Sequence, residues 1–299
     1  MTGAIAPARA YRRLKSAQES YLQRAWHRFR RNRLATISLI VLIVMGLAAI
    51  LAPVLATRDP NAIDLSPTGL LQPPSREHPF GTDELGRDGF SRALYGARIS
   101  LAVGFIASGM AVAIGVLVGA AAGMSGGWVD TLLMRSVDIL LSVPLFFLIM
   151  ISQTLMKPSI YTVMAIIGLT SWMDVARLVR GEFLNLRSSD YVTAAIVLGA
   201  KRSRIAWRHI LPNASNVIIV AATLRVAQAI LTESALSFVG LGVQPPDASW
   251  GSMLQKGLTR LLDAPWMVWF PGILISLTVL AFNFVGDGLR DALDPKQLV

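Results

Sequence analysis

Apolar residues run through this chain in long unbroken blocks, without the alternation of a half-buried strand or the single stripe of an amphipathic helix. Blocks of about twenty residues, nearly free of charge, recur at about 34–55, 99–123, 132–156, 159–179, 214–238 and 267–286. A helix of that length crosses roughly 30 Å of hydrocarbon, and only a structure that satisfies its own backbone hydrogen bonds can do so. The pattern therefore predicts an all-α polytopic membrane protein with six transmembrane helices. Polar segments separate the blocks. The longest are 1–33, 56–98, 180–213 and 239–266.

Small and polar residues inside the blocks carry the next layer of expectation. Ala107, Ala111, Gly115, Gly119 and Gly123 recur at steps of four, one face of a helix, and predict close packing on another helix of this chain or of a partner. A conformationally mobile segment is the competing reading. Asp138 lies within the third block, with Pro144 a few residues on. At the end of the fourth, Asp174, Arg177 and Arg180 share a helical side, and Asp174 is expected to pair with Arg177 along the helix. Arg225 stands about eleven residues into the fifth block, where an arginine facing lipid costs roughly 2.5 to 3.5 kcal/mol. Gln228 and Thr232 follow on its side, with Glu233 on the flank. Two readings stay open: this side lines a solute path, or Arg225 pairs with a buried acid such as Asp138 to hold helices together.

Composition agrees with the membrane reading. The 299 residues are 54% hydrophobic and 15% charged, with a formal net charge of +10. The basic residues sit in loops and flanks instead of on one folded face, which argues against nucleic acid as the partner. Residues 1–33 hold nine Lys or Arg against Glu19 alone, and the stretch YLQRAWHRFRRNR fits a helix lying at an anionic membrane surface. The apolar run after it is too long for a signal peptide and is read as a retained span. Basic residues at 1–33 and 180–213 then put both termini and the 124–131 and 180–213 loops in the cytoplasm, and Trp250, Trp266 and Trp269 at the outer interface. Cysteine is absent, His27, His78 and His209 are far apart, and no Gly-Lys-Ser or Gly-Lys-Thr triplet occurs, so neither a metal centre nor a triphosphate site is expected in this chain. Asp83, Glu84 and Asp88 lack the calcium-loop pattern, and Thr82, Asp83 and Gly86 read as capping and turn residues.

The segment Asp190–Pro212, DYVTAAIVLGAKRSRIAWRHILP, is too basic to span. Its residues predict a small-faced helix ended by Gly199 in the left-handed conformation, a second basic helix over 201–209, and Pro212 opening the next span. Ala194-Ala195, Gly199 and Leu211-Pro212 resemble the EAA loop of ABC importer permeases, with Thr193 where glutamate is frequent and His209 where isoleucine is. PPSREHPFGTDELGRDGFSRALYGARISL, SALSFVGLGVQPPDASWGSML and FPGILISLTVLAFNFVGDGLRDALDP are similar to the dipeptide and oligopeptide permeases of that family.

The resemblance implies a type I ABC importer transmembrane domain in the cell membrane, multi-pass. Its parts are a basic tail (1–33), a first span (34–55), an extracytoplasmic loop (56–98), a five-helix permease core (99–290) with a coupling loop at 190–212, and a tail (291–299). It implies that Tyr191, Thr193, Ala194, Ala195, Gly199, Ala200, Arg204, Leu211 and Pro212 couple to an ATPase. It also implies a second homologous permease forming a heterodimer, two ATPase subunits that bind the ATP and Mg, and an extracytoplasmic solute-binding protein. The subfamily's solutes are dipeptides, oligopeptides, nickel chelates, glutathione and some sugars. An ion- or proton-coupled secondary transporter is the alternative, but it calls for an internal repeat, and none is found. Nothing in the sequence supports a membrane enzyme: there is no Ser/His/Asp set, HExxH motif or paired acidic motif in the spans.

Overall fold

The computed structural model describes residues 21–156 and 159–294; most of the basic tail and the last five residues lie outside it. In chain order the helices are α1 (Tyr21–Arg31), α2 (Arg33–Ile50), α3 (Ala52–Leu55), α4 (Gly89–Ser125), α5 (Gly127–Ser142), α6 (Leu145–Leu155), α7 (Ile160–Thr170), α8 (Met173–Arg187), α9 (Asp190–Val197), α10 (Arg202–Phe238), α11 (Trp250–Leu258) and α12 (Trp266–Leu293). Among the described residues no strand forms beyond a single antiparallel bridge between Thr82 and Asp88. Among the described residues five helical stretches are long and apolar enough to cross a membrane: α2, α4, α7 with α8, α10 and α12. The bent pair α5–α6 makes a sixth if it counts as one span.

The blocks mark the spans but not their ends. α4 starts at Gly89, ten residues before its apolar block, because Asp88 caps it by accepting from Ser91 N at 2.8 Å and because segment 56–88 buries its first polar turns. At 37 residues α4 is about 55 Å long, well beyond the hydrocarbon thickness. The expected third span is broken by 82° between α5 and α6, where Pro144 has no N–H to continue the helix and disfavours helical geometry at Val143. The fourth is interrupted at Ser171–Trp172 and then runs on to Arg187. Trp250 is fully buried, not interfacial: its indole donates to Ala93 O at 3.0 Å. Trp269 is exposed, and the Trp266 indole donates to Thr82 O.

Packing in the bundle depends on small residues, since lipid offers helices no hydrophobic reward for leaving it. A methyl on Gly115 would stand 2.5 Å from Val175 Cβ, one on Gly119 2.5 Å from Ala176 O, and one on Gly123 2.6 Å from Phe183 Cβ. The stripe on α4 thus seats α8 of the same chain, with Ala107 and Ala111 buried on the same face. In the same way Ala35 of α2 and Phe29 of α1 close on Gly288 of α12. The outer flank of α2 is exposed and apolar, with Ile37, Ile40, Ile43, Val44 and Leu47.

Candidate functional site

Three features stand out at and between the two ends of the bundle. At the end bearing α9, the chain leaves α8, forms α9, turns at Gly199 with φ +78°, and enters α10 directly. The second basic helix is therefore the base of α10, not a separate element. A π-helical turn, Ile205–Ile210, lies at that junction. Pro212 has no N–H for the Arg208 carbonyl, Leu211 N donates five residues back to Ala206 O, and Asn213 Nδ2 donates to His209 O at 2.6 Å.

Val192 and Ala195 bury one side of α9, while Val192, Ile205, Ile210 and Ala214 pack with Val175, Val179 and Phe183 of α8 and Ala120 of α4. Tyr191, Thr193, Ala194, Gly199 and Arg204 are exposed, and Ala200 is half-buried. Beside them Ile196, Val197 and Leu198 are exposed at 52%, 82% and 86%, and Trp207 is exposed as well. This apolar tip on a fixed support is absent from the residues singled out by motif. Its signal in the sequence is an apolar triplet in an otherwise basic loop.

The second feature is an open cavity of about 900 Å³ between α8, α10 and the C-terminal end of α12. Its α10 wall runs from Asn216 to Arg225 and Gln228, about 18 Å along the helix. Arg225 Nη2 donates to Asp174 Oδ2 at 2.6 Å, so the partner of Arg225 is Asp174, not Asp138. The expected Asp174–Arg177 pair does not form. Arg177 instead reaches Asp138 of α5, and Arg180 Nη2 donates to Asp130 of α5 at 2.7 Å. Both of these acids lie on α5, so Arg177 and Arg180 bind α8 to that helix while Asp174 turns to α10. Asp138 and Thr232 do not line the cavity, and the Thr232 hydroxyl donates to Gln228 O.

Glu233 is also away from the cavity. It is fully buried at the other end, where Ser237 Oγ donates to it at 2.6 Å and Ser100 Oγ at 3.5 Å, and Ser249 adjoins Ser237. Ser100 also accepts from Trp250 N, so this acid fastens α11 to α4 and α10. It is a structural group, distinct in setting from Arg225 and Gln228.

The third feature is segment 56–88 over the α11 end. Asp88 accepts from Thr57 Oγ1 at 3.0 Å and faces His78 Nδ1 at 2.9 Å. Burial alone pushes its carboxyl up, but hydrogen bonds from Ser91, His78 and Thr57 outweigh that and hold it below the ordinary carboxylate range. Asp83 is taken by Arg87 at 2.7 Å and by the Leu85 and Arg87 amides, and Gly86 turns with φ +69°. No group of three or more potential metal ligands occurs among the described residues.

Comparison with known proteins places the sequence in a family. Residues 115–299 match the binding-protein-dependent transport system inner membrane component, and residues 20–74 match the N-terminal TM domain of oligopeptide transport permease C. The chain is 44% identical to the dipeptide transport system permease protein DppC of Bacillus subtilis, over 95% of this chain and 88% of the relative. It is 45% identical to the oligopeptide transport system permease protein OppC of the same organism, over 90% and 88%. The OppC of Haemophilus influenzae is 42% identical, over 93% and 89%.

Proposed function

The chain belongs to the inner-membrane components of binding-protein-dependent transport systems, and from that membership we propose that it forms one half of the translocation pathway of an ATP-driven importer for di- and oligopeptides. It is a multi-pass membrane transport component and not an enzyme, and its family works with ATPases and solute-binding proteins. In this reading a second, homologous permease completes the pathway as a heterodimer, and two ATPase subunits dock from the cytoplasm. The α9 end and both chain termini are cytoplasmic, and the α11 end with segment 56–88 receives the loaded binding protein.

The observation that carries the proposal is the exposed apolar tip of α9 on a rigidly packed base. Ile196, Val197 and Leu198 give an ATPase a surface to bury, while Val192, Ile205 and Ile210 join that tip to α8 and α10. These two helices are walls of the large cavity. Closure of the ATPase pair on α9 therefore pushes on the cavity, because a close-packed contact transmits displacement. The peptide class rests on the named relatives, and the Arg225–Gln228 side of α10 forms part of the path.

Reconstitution of this permease with its genomic neighbours tests the proposal: the companion permease, the ATPases and the binding protein. Dipeptide uptake that requires all of them is the expected result, and uptake driven by an ion gradient without ATP contradicts it. Gly199 sharpens the test. It has open space around it, so only its backbone conformation restricts substitution. Gly199→Val forces a β-branched residue into the left-handed region at roughly 1–2 kcal/mol, whereas Gly199→Asn is tolerated there. Valine should retain ATP hydrolysis while losing most uptake, and asparagine should retain both.

A further inference from the structure

We propose that Asp174 and Arg225 form an opening ion pair that recognises the two ends of a zwitterionic solute, Arg225 taking its carboxylate and Asp174 its ammonium. This deepens the importer reading above and rests on it. Asp174 of α8 and Glu233 of α10 are acids of different kinds. Glu233 is sealed at 0% exposure and held by serine hydroxyls, whereas Asp174 and Arg225 keep 57% and 18% of their side chains exposed on a cavity wall. Among the described residues, the other two ion pairs of α8 bind it to α5, and only this one joins α8 to α10. A pair between those two walls must lengthen if the walls part.

Geometry and charge set the ligand class. About 900 Å³ accommodates a small peptide, within the range of small-molecule sites. The ionic side chains on the lining are Arg225, Arg290, Asp174 and Asp294, two of each sign. A solute carrying one charge of each sign replaces the Arg225–Asp174 contact on both members and leaves neither unpaired; a simple anion or cation satisfies only one. Arg225 engages Asp174 through Nη2, and a guanidinium has further donors in its fork for a carboxylate. Gln228, one turn on, presents an amide to the same cavity and, with Arg225, also borders a narrow crevice reaching Ser108 and Ser171. Arg225 and Gln228 thus border both the wide cavity and the narrow crevice, while Asp174 lines the wide one.

Two experiments on the reconstituted four-component complex test this. In the first, uptake of alanyl-alanine is measured for Asp174→Asn, Arg225→Gln and the exchange Asp174→Arg with Arg225→Asp, assembly being checked by size-exclusion chromatography. Each neutralisation should lower initial uptake by about tenfold or more, and the exchange should not restore it. Near wild-type uptake by the exchanged pair, or by the assembled single variants, overturns the proposal and leaves the pair as a strut. In the second, Gln228→Cys in this cysteine-free chain is alkylated by a charged maleimide without nucleotide. Protection by alanyl-alanine and not by its N-acetylated, C-amidated form supports the site; protection by both or by neither overturns it. A wild-type complex that imports no peptide sinks the importer reading itself, a result distinct from each of these.

Discussion

Gly119 has no room for a methyl group, because the nearest atom, Ala176 O, belongs to the backbone and cannot rotate away. Alanine at this position should therefore separate α4 from α8 at a cost of about 1–3 kcal/mol, and leucine should cost more. Gly109, which has nothing within 4 Å, provides the control on the same helix. Gly119→Ala should lower the detergent melting temperature while Gly109→Ala leaves it unchanged; equal effects would show that helix propensity, not contact, decides. Asp88 gives a second expectation. Its depressed folded-state pKa contributes stability that is fully present above its unfolded value, near 3.8, and is lost as pH falls through the folded one. Segment 56–88 should resist proteolysis from pH 7 to about 4 and yield only below that. Asp88→Asn, which keeps a capping oxygen but not the charge, should be cut faster at pH 7 and respond less to acid. An unchanged pattern would separate the loop's order from this carboxylate.

Elements were legible where a single local rule governs them. Unbroken apolar blocks predict the five long spans, though not the bend between α5 and α6, and Gly199 predicts the turn after α9, because chain length and φ are properties of the segment itself. The start of α4 at Gly89 was not legible, since segment 56–88 buries Arg92, whose guanidinium donates to Pro60 O and Asn61 Oδ1, thirty residues away in sequence. The continuous run from Arg202 to Phe238 escaped for a related reason: Pro212 reads as a helix start, and a π turn lets the helix pass through it. Asp174 was visible only as a partner along its own helix. Its pairing with Arg225 depends on how α8 sits against α10, which spacing within one helix does not encode. Glu233 was read as flanking the Arg225 side of α10, and its burial was not legible because the serines that satisfy it come from α4 and the start of α11 as well as its own helix.

At the scale of the molecule, the cavity, the α8 ion pairs and α9 form one connected unit. α8 carries Asp174 at its first turn and packs Phe183 against the base of α9 and α10 near its last. α10 carries the π turn at one end and Arg225 farther along. A force applied at Leu198 has a packed route to the cavity wall, and that route is the physical content of the importer reading. The most direct measurement uses the absence of cysteine. A photoreactive maleimide is attached at Leu198→Cys in the assembled complex, with Leu262→Cys, 97% exposed in the segment between α11 and α12, as the opposite-end control. The account predicts that irradiation joins position 198 to an ATPase subunit, to an extent that changes with bound nucleotide, and that position 262 never yields that adduct. An ATPase adduct at 262, or none at 198 in a complex that hydrolyses ATP, would contradict it.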